Sequence, residues 1–302
     1  MIKRILDFIV YSNFFIAACA LVFTYETFWL LHLPTSLNWY LLLIFLCTTF
    51  VYSLHYFVKS TKQKNDTRLV WCRANRKLLQ LIILVSFLLI AAGVVYHFKS
   101  IFITGGDFNY RNLAWFIVIP LLSLAYSHPL NPWNKKSLRQ IGWLKMASLS
   151  FIWSFTTVIL PVLMLPDPIT GIVVNKYALV LFLNRFFFIA SLSLLFNIND
   201  FEEDKQDNIK TIAVVLGPGK SLLYGKWLMM LINAATAFLL VHFFELNNPL
   251  FYIALLFPVI IVFLLYHRFS PMKDETAFVI RHDGMMIVKA LLLIFALLIY
   301  SK

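Results

Sequence analysis

Apolar residues in this chain come in nine long runs, at about 9–31, 37–58, 78–97, 112–127, 146–165, 176–197, 220–244, 250–267 and 285–300. Each is near the ~20 residues that carry an α-helix across a bilayer. The expected fold is therefore an all-α polytopic membrane protein, about nine transmembrane helices in a single domain over residues 1–302. Lys3 and Arg4 precede the first run, but no small-residue cleavage site clearly follows it, so it reads as a spanning helix rather than a leader. Pro120, Pro161 and Pro258 fall inside runs, where a kink is tolerated once neighbouring helices satisfy the freed carbonyls.

Composition sharpens this picture. Hydrophobic residues make up 61% of the 302 and charged residues 13%, about half the ~25% of a soluble domain. Most of the 26 cationic residues fall on one side of the alternating loops, in segments 59–77, 128–145, 198–219 and 268–284, together with Lys3 and Arg4. That bias predicts a cytoplasmic N-terminus. The net charge of +12 is then an orientation signal, and no basic stripe on a soluble module suggests nucleic-acid binding. Cys19, Cys47 and Cys72 are scattered, giving neither a disulfide framework nor a zinc spacing. Outer connections are short and inner ones long and polar, so chemistry is expected at the cytoplasmic face.

The most unusual segment closes the sixth run. Asp200, Glu202, Glu203, Asp204 and Asp207 crowd into eight residues. On one helix, Asn197, Asp200, Asp204 and Asp207 share a stripe, because steps of three and four return to the same face. The helix would run outside to inside, so these acids meet the negative end of its dipole as well as one another. Lys205 offers partial compensation. A bound divalent cation offers more, and through it a phosphorylated substrate. The competing reading is a solvated acidic loop.

The stretch Phe196-Asn197-Ile198-Asn199-Asp200-Phe201-Glu202-Glu203-Asp204, then Asn208-Ile209-Lys210-Thr211-Ile212-Ala213 and Leu216-Gly217, resembles the second aspartate-rich motif of the UbiA superfamily of intramembrane prenyltransferases. Tyr126-Ser127-His128-Pro129-Leu130, followed by Lys135, Lys136, Arg139 and Gly142, is similar to the family's tyrosine-serine and basic loop. Asp283-Gly284 matches a pair found at the start of its ninth helix. The resemblance implies a bundle around a central cavity and transfer of an isoprenyl group from a prenyl diphosphate to a lipid-soluble, quinone-precursor-like acceptor. It implies Mg²⁺ on Asp200 and Asp204, also the expected catalytic pair, with Asn197 supporting. Lys135, Lys136, Arg139 and Lys210 would bind diphosphate. Ser53, Tyr126, Arg185 and Asp283 would face the cavity.

One part of the pattern is missing. The family's first acidic motif should close the second helix, where this chain reads Val51-Tyr52-Ser53-Leu54-His55-Tyr56-Phe57-Val58 with no carboxylate. The nearest acid, Asp66, lies in the following loop. A catalytically silent relative or a small-molecule transporter on the same scaffold is therefore the alternative. Arg185 lies 12 residues before Asn197, about 18 Å along a helix, and an intramembrane arginine needs a partner, in a cavity or in a structural pair. His55 is either a substitute ligand or a satisfied core histidine, and Asp283 either a site acid or a helix cap. Gly217-Pro218-Gly219-Lys220-Ser221 ends like a phosphate loop, but no strand precedes it. The expected setting is a bacterial inner membrane, with lipids as partners. Nothing in the sequence sets an oligomeric state.

Overall fold

In the computed structural model, residues 2–61, 66–104, 110–127, 137–164, 176–272 and 274–300 are described. The long helices are α2 Phe14–Leu30, α3 Asn38–Lys59, α5 Arg76–Thr104, α6 Tyr110–Ser127, α7 Leu144–Val162, α8 Lys176–Asn199, α11 Pro218–Phe243, α12 Pro249–His267 and α13 Glu275–Tyr300. Shorter helices sit at their ends: α1 Ile2–Tyr11, α4 Thr67–Ala74, α9 Phe201–Gln206 and α10 Ile212–Leu216. Among the described residues seven helices are long and apolar enough to cross a membrane, and an eighth if α1 and α2 form one span. The fourth expected span falls on α6, Tyr110–Ser127.

Local chemistry fixes the breaks. The first expected span is two helices bent by 67°. Asn13 sits between them with φ 68°, the left-handed conformation that asparagine tolerates better than most residues. Asp66 caps α4 by accepting from the Arg68 N–H at 3.0 Å. Asn248 caps α12 in the same way, with Pro249 at its first position. Gly217, at φ 82°, turns α10 into α11, and Pro218 opens the latter. The glycine-rich run is thus a corner between helices.

α7 contains a π-turn, Phe155–Ile159, just before Pro161. Proline lacks the N–H that would close the ladder, and the wider turn adds a second mismatch. The freed carbonyls are met by other spans. The Tyr40 hydroxyl donates to the Thr156 oxygen at 2.6 Å, and the Thr27 hydroxyl to the Thr157 oxygen at 2.7 Å. Arg185 also donates to the Thr157 oxygen, at 3.1 Å.

The spans form a ring. α2 packs on α3, α3 on α5, α7 on α8, α8 on α11, α11 on α12, α12 on α13, and α13 returns to α2. α6 leans on α7. Among the candidate spans, α7 and α8 are the most enclosed and α5 the least buried. Between α8, α11 and α12, Gly225 allows close approach: a Cβ there would lie 2.8 Å from Leu194 and 2.8 Å from Tyr266.

Candidate functional site

The ring encloses a cavity of about 1040 Å³, just above the ~300–1,000 Å³ range of ligand pockets. Its inner wall is apolar, with Ile16, Ala20, Ile44, Leu160, Ile189 and Leu192. Aromatic residues Tyr52, Tyr126, Trp153 and Phe196 band the middle, and the Trp153 indole N–H donates to the Tyr52 hydroxyl at 3.2 Å. Charge gathers where α3, the turn before α7 and the α8–α9 junction meet, with Lys59, Arg139, Lys145, Asn197, Asp200 and Glu203.

The acidic stripe divides at this mouth. α8 ends at Asn199 and α9 starts at Phe201, so the four residues do not share one environment. Asn197 and Asp200 line the cavity. Asn197 is 1% exposed, and neither its amide oxygen nor its nitrogen has a hydrogen-bond partner. Asp207 is exposed on the surface. Asp204 is buried behind the wall, where both carboxylate oxygens accept from the Lys145 ammonium, at 2.9 and 2.8 Å. The same ammonium lies 3.5 Å from Asp200. Burial pushes the Asp204 carboxyl above its ordinary range, and Lys145 works against that shift.

Lys145 is what the sequence reading missed. Within the polar segment 128–145 it reads as a loop cation, yet it lies in the first turn of α7 with its side chain 7% exposed. It compensates the acids in the place given to Lys205, whose ammonium instead lies 5.8 Å above the Phe201 ring. A lysine at the edge of an apolar run, at the membrane depth of a carboxylate cluster, is the signal that could have found it.

Other expected residues sort clearly. Tyr126 and Asp283 line the cavity. Asp283 is not a helix cap, because α13 starts eight residues earlier at Glu275. That places it about 12 Å deeper along the axis. Arg139 lines the mouth and donates to His55 Nε2 at 2.8 Å. Lys210 is exposed. Lys135 and Lys136 lie outside the described residues.

Ser53 and Arg185 do not line the cavity. Ser53 is fully buried and accepts from Asn13 at 3.1 Å. That contact belongs to a network around Arg68, which donates to Tyr56, Glu275 and Asn13 and ties the α1–α2 break to α3 and α13. Arg185 is fully buried and pairs with Glu26 at 3.1 Å; Lys289 reaches Glu26 at 3.3 Å from the other side. Phe23 lies against both cations.

A divalent ion can be tested against this donor set. Among the described residues no group of three or more His, Cys, Asp or Glu converges. The Asp200 carboxylate and the partnerless Asn197 oxygen stand together on the wall. Mg²⁺ is commonly held by one or two carboxylates, with water and phosphate oxygens completing the shell. The residues fit one such ion, and fit it best with a phosphate present.

The whole chain can now be set beside a solved structure. It aligns with the apo structure of a UbiA homolog from Aeropyrum pernix K1 at a TM-score of 0.64, over 95% of this chain and 98% of that one, with 14% identity. The chain has the UbiA fold. No protein-family model and no curated protein matches its sequence. α3 contributes Lys59, His55 and Tyr56 to that cavity and no carboxylate.

Proposed function

We propose that this protein is an integral-membrane prenyltransferase of the UbiA type. It would move an isoprenyl group from a prenyl diphosphate to a lipid-soluble acceptor at the cytoplasmic face, in a bacterial inner membrane. The observation that carries this reading is one continuous cavity with an apolar, aromatic-banded interior and a charged mouth holding Asp200 and the partnerless Asn197.

The residues divide the work by chemistry. Asp200 and Asn197 would hold Mg²⁺, which supplies positive charge to the departing diphosphate. Arg139 already donates to His55, and its guanidinium has further N–H groups for phosphate oxygens. The C–O bond to diphosphate breaks with its electron pair leaving on oxygen. The allylic carbon, electron-poor, lies against the ring faces of Tyr52, Tyr126 and Trp153, which favour positive charge. A new bond forms to the acceptor, which releases a proton. Asp283, deep on the α13 wall, is the proposed proton acceptor. The apolar inner wall keeps water from capturing the reactive carbon.

Purified chain tested with Mg²⁺ and a prenyl diphosphate should melt at a higher temperature, because a ligand that binds only the folded state stabilises it. No shift with any chain length would end this proposal. The second reading, a silent or transporting relative, is favoured by the carboxylate-free α3 face. It is separated by turnover: ligand stabilisation without release of diphosphate would select it.

A further inference from the structure

Asp204 shares its stripe with Asp200 but not its surroundings. Its side chain is 4% exposed, and Lys145, itself on the cavity wall, stands between it and the cavity. Both carboxylate oxygens accept from that one ammonium. An ion entering from the mouth meets Asp200 and Asn197 first, and reaches Asp204 only by displacing a buried, doubly hydrogen-bonded cation.

The ammonium has a third donor. Two point at Asp204, and the 3.5 Å approach to Asp200 sets the remaining charge toward the cavity. Across the mouth, Arg139 adds a second fixed cation, itself oriented by His55. A diphosphate at this place carries more negative charge than one divalent ion neutralises. α3 itself offers no carboxylate to recruit another, and the other acids that line the mouth are engaged or exposed: Asp66 accepts from the Arg68 N–H, Glu275 from its guanidinium, Glu203 lies 3.8 Å from Lys59, and Glu202 is exposed. Fixed cations are what the chain provides instead.

We propose that Lys145 is a built-in cationic ligand for the diphosphate, held in position by Asp204, so that the site loads one divalent ion rather than two. Lys145 would touch substrate. Asp204 is a positioning residue that acts through it. The inference rests on the prenyltransferase reading, and its test separates the two.

The test uses the purified full-length chain with Mn²⁺ and inorganic diphosphate, counting bound Mn²⁺ by electron paramagnetic resonance. Wild type should bind one Mn²⁺ per chain, and only with diphosphate present. Asp200→Asn should weaken Mn²⁺ binding at least about tenfold, the loss seen even for groups one step removed from a metal. Asp204→Asn should leave Mn²⁺ affinity, measured at saturating diphosphate, within about threefold while weakening diphosphate at least tenfold, since Lys145 loses its anchor and not the metal its ligand. Lys145→Arg should retain diphosphate binding. Lys145→Met leaves a buried acid unpaired and risks misfolding, so Lys145→Met with Asp204→Asn is the companion variant, expected to bind one Mn²⁺ and diphosphate weakly. Two Mn²⁺ ions in wild type, or an Asp204→Asn variant that loses Mn²⁺ as Asp200→Asn does, would overturn the role of Lys145 and leave the prenyltransferase reading standing. Absence of any diphosphate-dependent Mn²⁺ binding would remove both.

Discussion

Replacing Glu26 by glutamine removes one charge from a trio that no solvent reaches. Glu26 and Arg185 have fully buried side chains, and that of Lys289 is 1% exposed. The contacts are 3.1 Å to Arg185 and 3.3 Å to Lys289. At an effective dielectric of about 20, each is worth about 5 kcal/mol before desolvation and the repulsion between the two cations are counted. Removing the shared partner of a buried pair costs about 3–5 kcal/mol. The two cations lose unequally. Arg185 still donates to the Thr27 hydroxyl at 2.8 Å and the Thr157 carbonyl at 3.1 Å. Lys289 is left with the ring faces of Phe23 and Phe188, each at 5.6 Å. Glu26→Gln should therefore lower the melting temperature in detergent on the order of 10 °C. Adding Lys289→Met should restore most of the loss, and adding Arg185→Met less. Lys289→Met alone leaves a matched Glu26–Arg185 pair and should cost little. A Glu26→Gln variant that melts with wild type, or a Lys289→Met variant as damaged as Glu26→Gln, would refute the reasoning.

Further expectations concern the site and the packing. Asp200→Asn should reduce prenyl transfer by at least about 100-fold, the scale of losing a charge-stabilising group, with the protein still purifying as a folded species; near wild-type turnover would contradict it. Asp283→Asn should lower turnover while leaving the stabilisation by prenyl diphosphate intact, because its role follows ionisation; a lost thermal shift would assign it to binding instead. Gly225→Ala should destabilise by about 1–3 kcal/mol, since Tyr266, whose hydroxyl donates to the Ser191 carbonyl at 2.6 Å, must move. Gly219→Ala, where an added Cβ meets nothing within 4 Å, should be neutral or stabilising in the same thermal assay.

Much of the architecture is legible in the sequence because bilayer length is a hard constraint. The run at 176–197 becomes Lys176–Asn199, and that at 250–267 becomes Pro249–His267. What periodicity misses is where a helix begins once polar residues enter it. Glu275, Arg281 and Asp283 look like loop, yet α13 starts at Glu275, and so Asp283 sits inside the helix. The first run likewise hides its break, because Ser12 and Asn13 are too small a polar interruption to register. At the site, Asp200, Asn197 and Tyr126 can be picked from the chain by residue type and place. The roles of Asp204 and Lys145 cannot, since their contact joins residues 59 apart. Arg185 is readable as needing a partner, but Glu26 lies on a distant helix and one further acceptor, the Thr157 carbonyl, belongs to a π-turn at Phe155–Ile159 that no local pattern announces.

The central claim is that Asp200 and Asn197 form the divalent-ion seat of a prenyl diphosphate site at the mouth of this cavity. The most direct measurement is the anomalous signal of Mn²⁺ in crystals grown with a slowly reacting prenyl thiodiphosphate. The expected result is one peak beside Asp200 and Asn197, with the diphosphate against Lys145 and Arg139 and the prenyl chain running into the apolar wall. A headgroup bound elsewhere, or an Asp200 carboxylate with no ion beside it while the ligand fills the cavity, would contradict the claim.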